Sequence, residues 1–247
     1  MIINKIAVFV EGQGELIFFR KMILHLLSDI NIPFSFECLK LNSGDFCDVP
    51  YKQNNPEAIV HFMIINVGND ERVLTVIKER EENLLQNGYS KIIGLRDMYS
   101  KAYRKKSLGI INENVNNQFI KSVESIIQLM SDPEKVSFYF SIMEIEAWWL
   151  SMYSIFVKIN ELLTVDYINE NLGFRLDILD PEKEFFHPAT VLTQVLNLIE
   201  IPYKKKLHDV ELIINCIDII DIKKVLTSGK CNSFKLFIDE ILNSLKI

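Results

Sequence analysis

Acidic residues end three separate apolar runs of this sequence, and each run predicts a buried β-strand. They are Glu11, Asp97 and the pair Glu144 and Glu146. Because the carboxyl ends of parallel strands share one edge of a sheet, these acids are expected to converge if the strand order allows it. Clustered carboxylates repel one another, and burying them is unfavourable unless a cation compensates. Oxygen ligands suit Mg²⁺ or Mn²⁺, so the pattern predicts metal-dependent phosphoryl chemistry.

The turn after the first predicted strand contains Glu11, Gly12, Gly14 and Glu15 before an apolar helix. One interpretation is a ligand-binding edge, because ligands bind at the carboxyl ends of strands in open α/β sheets. The other is a tight turn on two glycines with acids that favour the helix N-terminus. A dinucleotide-binding fingerprint is disfavoured, because Ile17 stands where its third glycine would allow close helix packing.

Strands and helices alternate along the first part of the chain. Strands are predicted at residues 5–10, 34–41, 59–67, 89–97 and 135–143, helices at 13–28, 71–87 and 113–130, and loops at 42–56 and 98–107. From about Ser151 onwards the apolar spacing is helical. This order predicts an α/β fold with a mostly parallel sheet flanked by helices and a C-terminal α-helical cap. The predicted domains are residues 1–150 and 151–247.

Composition indicates an ordinary globular protein. The 247 residues are 49% hydrophobic and 24% charged, and the net charge of −6 disfavours general nucleic-acid binding while leaving room for a local basic groove. The four cysteines lie far apart, which disfavours a zinc site. The first residues lack the pattern of a secretory signal, and Glu144 and Glu146 interrupt the most apolar stretch. A cytoplasmic protein without a membrane span is expected.

A local basic segment follows Asp97. Lys101, Arg104 and Lys105 in the predicted loop could hold a phosphate backbone, and the alternative is a solvated loop. The run 204–206 with His208 could add a second contact, although an exposed helix start is favoured.

Two adjacent tryptophans lie in the most apolar region of the sequence. Trp148 and Trp149 could stack on nucleic-acid bases, but their surroundings favour core packing or a subunit interface.

Residues 10–15 (VEGQGE) after a strand, followed by a strand that ends at Asp97, resemble the Toprim domain of topoisomerases, primases and overcoming-lysogenization-defect nucleases. The acid-Gly-x-x-Glu form is most similar to the nuclease branch. The chain also resembles a group of uncharacterised bacterial Toprim-like proteins that are often encoded beside ATPases in phage-defence loci. That similarity uses residues 143–149, residues 203–205 with His208, and residues 231–234 with Phe237.

The resemblance implies a Toprim-like (Rossmann-like) fold and a role for each acid. Glu11 matches a general acid/base or metal partner, and Asp97 matches the first acid of a metal-binding Asp-x-Asp pair. Glu144 or Glu146 would supply a further carboxylate, and Glu11, Asp97 and Glu146 would hold Mg²⁺ or Mn²⁺. Two positions depart from the family pattern. Gly14 replaces a common threonine, and Tyr99 stands where the second aspartate is expected.

The resulting expectation is a metal-dependent nuclease that hydrolyses phosphodiesters in DNA or RNA. It would be the effector of a bacterial anti-phage defence system and would work with an ATPase partner. The alternative is a catalytically degenerate Toprim-like subunit that binds or regulates an ATPase complex. Expected partners are nucleic acid and an ATPase, with further copies of the same chain as an open alternative and no membrane.

Overall fold

The protein is described from a computed structural model that covers residues 4–68 and 72–245. Within these ranges the chain forms six strands and twelve α-helices. The strands are β1 (Asn4–Val10), β2 (Phe34–Asn42), β3 (Asp45–Gln53), β4 (Val60–Asn66), β5 (Tyr89–Asp97) and β6 (Val136–Ser141). The helices are α1 (Gln13–Asp29), α2 (Val73–Gln86), α3 (Lys101–Ser107), α4 (Glu113–Ile127), α5 (Glu146–Ser151), α6 (Ser154–Ile159), α7 (Val165–Leu172), α8 (Pro181–Glu184), α9 (Pro188–Asn197), α10 (Leu207–Asn215), α11 (Ile219–Ser228) and α12 (Asn232–Ser244).

The six strands form one sheet in the order β3-β2-β4-β1-β5-β6. β1 is parallel to β4 and β5, β2 is parallel to β4, and β3 is antiparallel to β2. Between residues 146 and 245 the chain contains helices and no strand. The predicted α/β class, the mostly parallel sheet flanked by helices and the helical C-terminal part are therefore confirmed.

The central strands contain long buried apolar runs, such as residues 6–10 of β1, because helices cover both faces of the sheet. Successive side chains of a strand point to opposite faces. On β1, Ala7 and Phe9 join the core cluster that contains α2, while the intervening residues are equally buried. Phe19 of α1 packs edge-on against Phe62 of β4, with 6.0 Å between the ring centroids. The apolar helix predicted after Glu15 thus packs against the core.

The predicted loop at residues 42–56 is wrong, because it contains the edge strand β3. Ser43 and Gly44 both have positive φ, of 51° and 96°, and connect β2 to β3 as a two-residue hairpin. The pairing shifts register between Glu37 and Leu39, opposite the segment that holds Pro50. Proline is tolerated at such an irregular edge because no ladder bond needs its missing N–H.

The predicted loop at residues 98–107 is also wrong in its second half, which forms α3. Ser100 begins this helix, since its hydroxyl accepts a 3.1 Å hydrogen bond from the N–H of Tyr103. Tyr103 is fully buried and fixes the helix, while Leu108 ends it in the left-handed conformation. The charged residues that favoured a loop lie on the exposed side of this helix.

The other helices predicted in the first half are present, with ends that differ by a few residues. The predicted start of the second helix at residue 71 lies outside the described residues. No helix in the ranges 4–68 and 72–245 is both long and apolar enough to cross a bilayer.

The chain divides into two compact units that interleave along the sequence. The first unit comprises Met1–Arg96, Asn116–Phe140 and Leu236–Ile247, and the second comprises Asp97–Val115 and Ser141–Lys235. The sequence prediction instead places one boundary at residue 150. The chain enters the second unit at Asp97 and again at Ser141, the last residues of β5 and β6.

Substituting Gly94 by alanine is predicted to destabilise the first unit. A Cβ atom on Gly94 would lie 2.4 Å from the Phe138 ring and 2.8 Å from Ile77, so the strand would be overpacked. We expect the free energy of unfolding to fall by about 1–3 kcal/mol, measured by chemical denaturation. In Gly94→Ala/Phe138→Leu the smaller side chain makes room, so the double variant should lose less than the sum of the single variants. An unchanged stability of Gly94→Ala would contradict the packing.

Candidate functional site

Asp97 is a buried carboxylate at the point where β5 ends. Its Oδ1 accepts a 2.5 Å hydrogen bond from the hydroxyl of Ser141 and a 2.9 Å bond from the N–H of Ile145. Both donors lie at or just after the end of β6. Hydrogen bonds to a carboxylate are strong because the acceptor is charged. Asp97 is therefore fixed in place by the segment that carries the next two acids.

The backbone before Glu144 is held in a strained conformation. Met143 is fully buried and has a φ of +68°, which is costly for a residue with a side chain. Its carbonyl accepts a 2.8 Å hydrogen bond from the N–H of Tyr99. Such strain persists only where surrounding contacts impose it, and it is common at functional sites.

Glu144 also completes a helix end. Pro188 occupies the first position of α9 and has no N–H, and the preceding His187 makes no side-chain capping bond. The N–H of Ala189 donates a 3.0 Å hydrogen bond to Oε2 of Glu144 instead. A carboxylate at a helix N-terminus is favourable because it satisfies a free donor and opposes the helix dipole.

Glu146 is the most deeply buried of the acids and begins α5. Its Oε1 accepts a 2.8 Å hydrogen bond from the Tyr203 hydroxyl. Among the described residues, its Oε2 is a buried oxygen without a hydrogen-bond partner. Burial raises the pKa of Glu146, and the neighbouring charge of Lys205 only partly opposes this effect. Glu146 thus keeps an unused ligand atom in a site where a negative charge needs compensation.

The Lys205 ammonium joins these carboxylates. Its Nζ lies 3.1 Å from Oε1 of Glu144 and 3.0 Å from Oε1 of Glu146. Burial opposes the charge of Lys205, but Glu146, Glu144 and then Asp97 attract it and raise the pKa of the ammonium. We call Asp97, Glu144, Glu146 and Lys205 the acid–lysine cluster. When every group is ionised, three negative charges face one positive charge, so the cluster carries an excess of negative charge.

Hydrogen bonds to Asp209 fix the backbone of the loop that carries Lys205. Lys205 has a φ of +56°, so its backbone is in the left-handed region. The N–H groups of Lys204 and Lys206 donate bonds of 2.8 and 3.1 Å to Oδ2 of Asp209, in the first turn of α10. The predicted helix start at the run 204–206 is thus confirmed. One lysine of that run, Lys205, contacts two acids in its own unit.

Tyr99, which replaces the expected second aspartate, takes part in aromatic packing. Its ring centroid lies 5.7 Å from that of Phe186 and 4.8 Å from that of His187, both edge-on. The Arg104 guanidinium lies 5.3 Å from the same ring centroid. Position 99 therefore contributes an aromatic surface with a cation over it instead of a metal-binding carboxylate.

The three cations predicted to contact nucleic acid share one face of α3. Lys101, Arg104 and Lys105 are spaced three and four residues apart, which places them side by side on a helix, and all three are exposed. A basic helix face suits a polyanion better than an irregular loop does, because the helix fixes the spacing of the charges.

Glu11 belongs to the first unit, whereas the other three predicted acids belong to the second. It follows β1 directly, and its carbonyl accepts a 2.8 Å hydrogen bond from the N–H of Gly68. Gly12 has an extended backbone that any residue could adopt, but a Cβ atom there would lie 2.9 Å from Oε2 of Glu15. A side chain at this position would require the flexible end of Glu15 to shift. The structure brings together Asp97, Glu144 and Glu146, and the role of Glu11 stays a prediction.

A second group of possible ligand atoms lies in the same unit. One oxygen each of Asp180 and Glu182 and the sulfur of Cys231 lie within 4.8 Å of one another. Oε1 of Glu182 accepts a 2.9 Å hydrogen bond from the indole of Trp148 and another bond from the Ser233 hydroxyl. Burial raises the pKa of the Cys231 thiol well above its usual value, so the sulfur stays protonated. These groups are already engaged with the protein, so this is a packed structural cluster.

The tryptophans lie in the core, as favoured from the sequence. Trp148 and Trp149 are almost completely buried, and the Trp148 ring packs against Phe234 at 5.1 Å between centroids. Neither ring is exposed for stacking on a base.

Sequence reasoning missed the partners of the acids. Tyr203 and Lys205 were noted as part of a short motif, without a link to Glu144 and Glu146. Lys205 is 61 positions from Glu144 along the chain. No periodicity connects segments at that distance, and the adjacency of a tyrosine and lysines was the only available signal.

No family model, curated protein or solved structure matches this chain. The resemblance to the Toprim domain stays a prediction.

The buried carboxyl of Glu182 is predicted to make stability depend on pH. Burial raises its pKa from 4.5 to about 7 despite the hydrogen bonds from Ser233 and Trp148. Between these values the unfolded chain loses the proton while the folded chain keeps it, so stability falls as pH rises. The loss over this window is on the order of 3 kcal/mol, and it is absent below pH 4.5.

Glu182→Gln cannot ionise and provides the matched control. Its free energy of unfolding, measured by denaturation at several pH values, should lack the decline that wild type shows between pH 4.5 and about 7. A constant difference between the two proteins across this window would contradict the raised pKa.

Proposed function

We propose that this chain is a Mg²⁺- or Mn²⁺-dependent nuclease of the Toprim type that hydrolyses phosphodiester bonds in DNA or RNA. The observation that carries the proposal is the contact of Glu144 and Glu146 with one cationic group that also lies within the electrostatic reach of Asp97. Glu146 in addition holds a buried oxygen that has no hydrogen-bond partner in the described part of the chain. An excess of buried carboxylate oxygens is what a divalent cation requires.

The donor set fits a hard divalent cation. Asp97, Glu144 and Glu146 offer only oxygen ligands, which Mg²⁺ and Mn²⁺ prefer over sulfur. In this proposal these three acids would hold the ion, whose chemistry would be charge stabilisation at the phosphate and activation of water. The thiol-containing group at Asp180, by contrast, has no comparable unused oxygen.

The protein's own residues position the acids and the substrate. Ser141 and Ile145 orient Asp97, and the Tyr203 hydroxyl orients Glu146, so the carboxylates need little rearrangement on binding. The basic face of α3 would bind the phosphate backbone, since phosphate contacts orient a nucleic acid without reading its sequence. By the resemblance, Glu11 would act as a general acid or base or as a further metal partner.

The biological setting is proposed from the resemblance alone. The chain would be an effector of bacterial anti-phage defence, would act in the cytoplasm, and would be controlled by an ATPase partner. Further copies of the chain remain an additional candidate partner.

A second function is favoured by two specific observations. Lys205 already neutralises part of the acid cluster, and Tyr99 supplies an aromatic ring where a second aspartate is expected. Both features would suit a catalytically degenerate subunit that binds or regulates an ATPase complex. This alternative predicts no cleavage with any divalent cation and a stable complex with another protein.

Cleavage by the purified chain separates the two functions. Single-stranded DNA, duplex DNA and RNA would be incubated with the protein and Mg²⁺ or Mn²⁺, and products measured on denaturing gels. We expect cleavage by wild type and a loss of at least about 100-fold in Glu146→Gln and Asp97→Asn, because each removes a ligand charge. Glu11→Ala tests the general acid/base role in the same assay.

Glu182→Gln is the control, because it removes a buried carboxylate of the same unit outside the acid–lysine cluster. Its cleavage should match that of wild type at neutral pH. Equal activity of wild type, Glu146→Gln and Asp97→Asn would contradict the assigned site. Absence of cleavage, with and without the ATPase, would favour the degenerate subunit.

The basic face of α3 is predicted to contribute to nucleic-acid affinity. Lys105→Ala should weaken binding a few-fold and reduce the dependence of log affinity on log salt by about 0.7–0.9, the effect of one lost phosphate contact. Lys106→Ala, one position further around the same helix and off the shared face, is the matched control. Fluorescence anisotropy over a range of salt measures both. Equal effects of the two substitutions would show that the face has no special role.

A further inference from the structure

Lys205 occupies a place that is also suited to a metal ion. Its Nζ bridges one oxygen of Glu144 and one oxygen of Glu146 and lies within the electrostatic reach of Asp97. These are the three acids that the proposed function assigns to a divalent cation. Two cations cannot share this space without strong repulsion, because a small separation in a partly desolvated site gives a large Coulomb energy.

The Lys205 ammonium compensates only part of the negative charge of the acid–lysine cluster. A single ammonium contacts two carboxylates and is attracted by a third, Asp97, and Oε2 of Glu146 has no hydrogen-bond partner among the described residues. A divalent cation carries twice the charge and can contact more than one oxygen of the group. The cluster therefore already binds the Lys205 ammonium and is suited to bind a divalent cation, which carries more charge.

The backbone of Lys205 is fixed, whereas its side chain can move. The backbone is fixed, because the neighbouring N–H groups bind Asp209 and the residue itself is held at positive φ. The side chain is 47% exposed to solvent, although burial opposes the charge of the ammonium. It can leave the carboxylates by rotation of its own flexible stem while the loop remains in place.

From these contacts we propose that Lys205 is a tethered competitor for the divalent cation. It fills the acid–lysine cluster when the metal is absent and leaves for solvent when the metal binds. Because it is attached to the protein, it competes at a high effective concentration at any metal concentration. This inference rests on the metal site of the proposed function and adds a control on its occupancy, so metal affinity is set partly by how easily Lys205 departs.

Metal binding to Lys205→Met tests the competition directly. Methionine has a similar length and no charge, so the competitor is removed with little change in volume. Titration calorimetry with Mn²⁺ should show binding at least about tenfold tighter in Lys205→Met than in wild type. Lys204→Met, the adjacent lysine outside the cluster, should bind like wild type. Lys205→Met/Glu146→Gln should lose the gain, because a metal ligand is removed.

A second measurement uses the wild-type protein and does not depend on the folding of a variant. An amine-acylating reagent would modify lysines with and without saturating Mn²⁺, and mass spectrometry would quantify the peptides with Lys204 and Lys205. The ion-paired Lys205 should react more slowly than Lys204 without metal, and several-fold faster once Mn²⁺ is bound. The rate at Lys204 should stay unchanged.

The outcomes separate this inference from the proposed nuclease. If Lys205→Met binds Mn²⁺ no more tightly than wild type, or if Mn²⁺ leaves acylation of Lys205 unchanged, Lys205 is not a competitor, even when the protein cleaves nucleic acid. If Lys205→Met binds tightly and Mn²⁺ releases Lys205, the inference stands, even when no substrate is cut.

Discussion

Burying several ionised carboxylates together is strongly unfavourable unless a cation compensates them, and this constraint applies to the second unit of the protein. The Lys205 ammonium between Glu144 and Glu146 meets it in part. Water would otherwise solvate these charges, and removing it without a partner is strongly unfavourable. Burial, together with the neighbouring charge of Glu144, raises the pKa of Glu146, the most buried of these acids. A divalent cation in place of the ammonium would compensate these charges more completely.

Strained backbone positions and a helix end fix the location of these charges. Met143 and Lys205, on the two segments that meet at the cluster, both have positive φ. Positive φ is unfavourable for such residues and is maintained by nearby contacts. Glu144 in addition supplies the acceptor that α9 lacks at its Pro188 end. The cluster is therefore tied to the ends of helices, and changing it would affect stability as well as chemistry.

Local sequence patterns predicted the elements that have a clear apolar periodicity. Apolar runs identified β1 and β4, helical spacing identified α1, and the acids at strand ends indicated Asp97 with Glu144 and Glu146. The edge strand β3 was missed because Pro50 and its polar neighbours resemble a loop, although an irregular edge accommodates them. α3 was missed because its charges outweighed the signal of Ser100 as a capping residue.

These local patterns do not predict which distant segments of the chain pack together. The two units interleave, so a single boundary in sequence could not describe them. The pairing of Lys205 with acids 61 and 59 positions away is a tertiary contact that periodicity does not encode. The acids could be predicted from the sequence, whereas the contact of Lys205 with them is found only in the structure.

The most direct test of a divalent-cation site at the acid–lysine cluster is a crystal structure of the protein grown with Mn²⁺, with data collected to locate the ion by its anomalous scattering. The account predicts an anomalous peak in contact with carboxylate oxygens of Glu146 and its neighbouring acids, and a Lys205 side chain turned into solvent. An ammonium that still bridges Glu144 and Glu146 in crystals saturated with Mn²⁺, with no anomalous peak at the cluster, would contradict it.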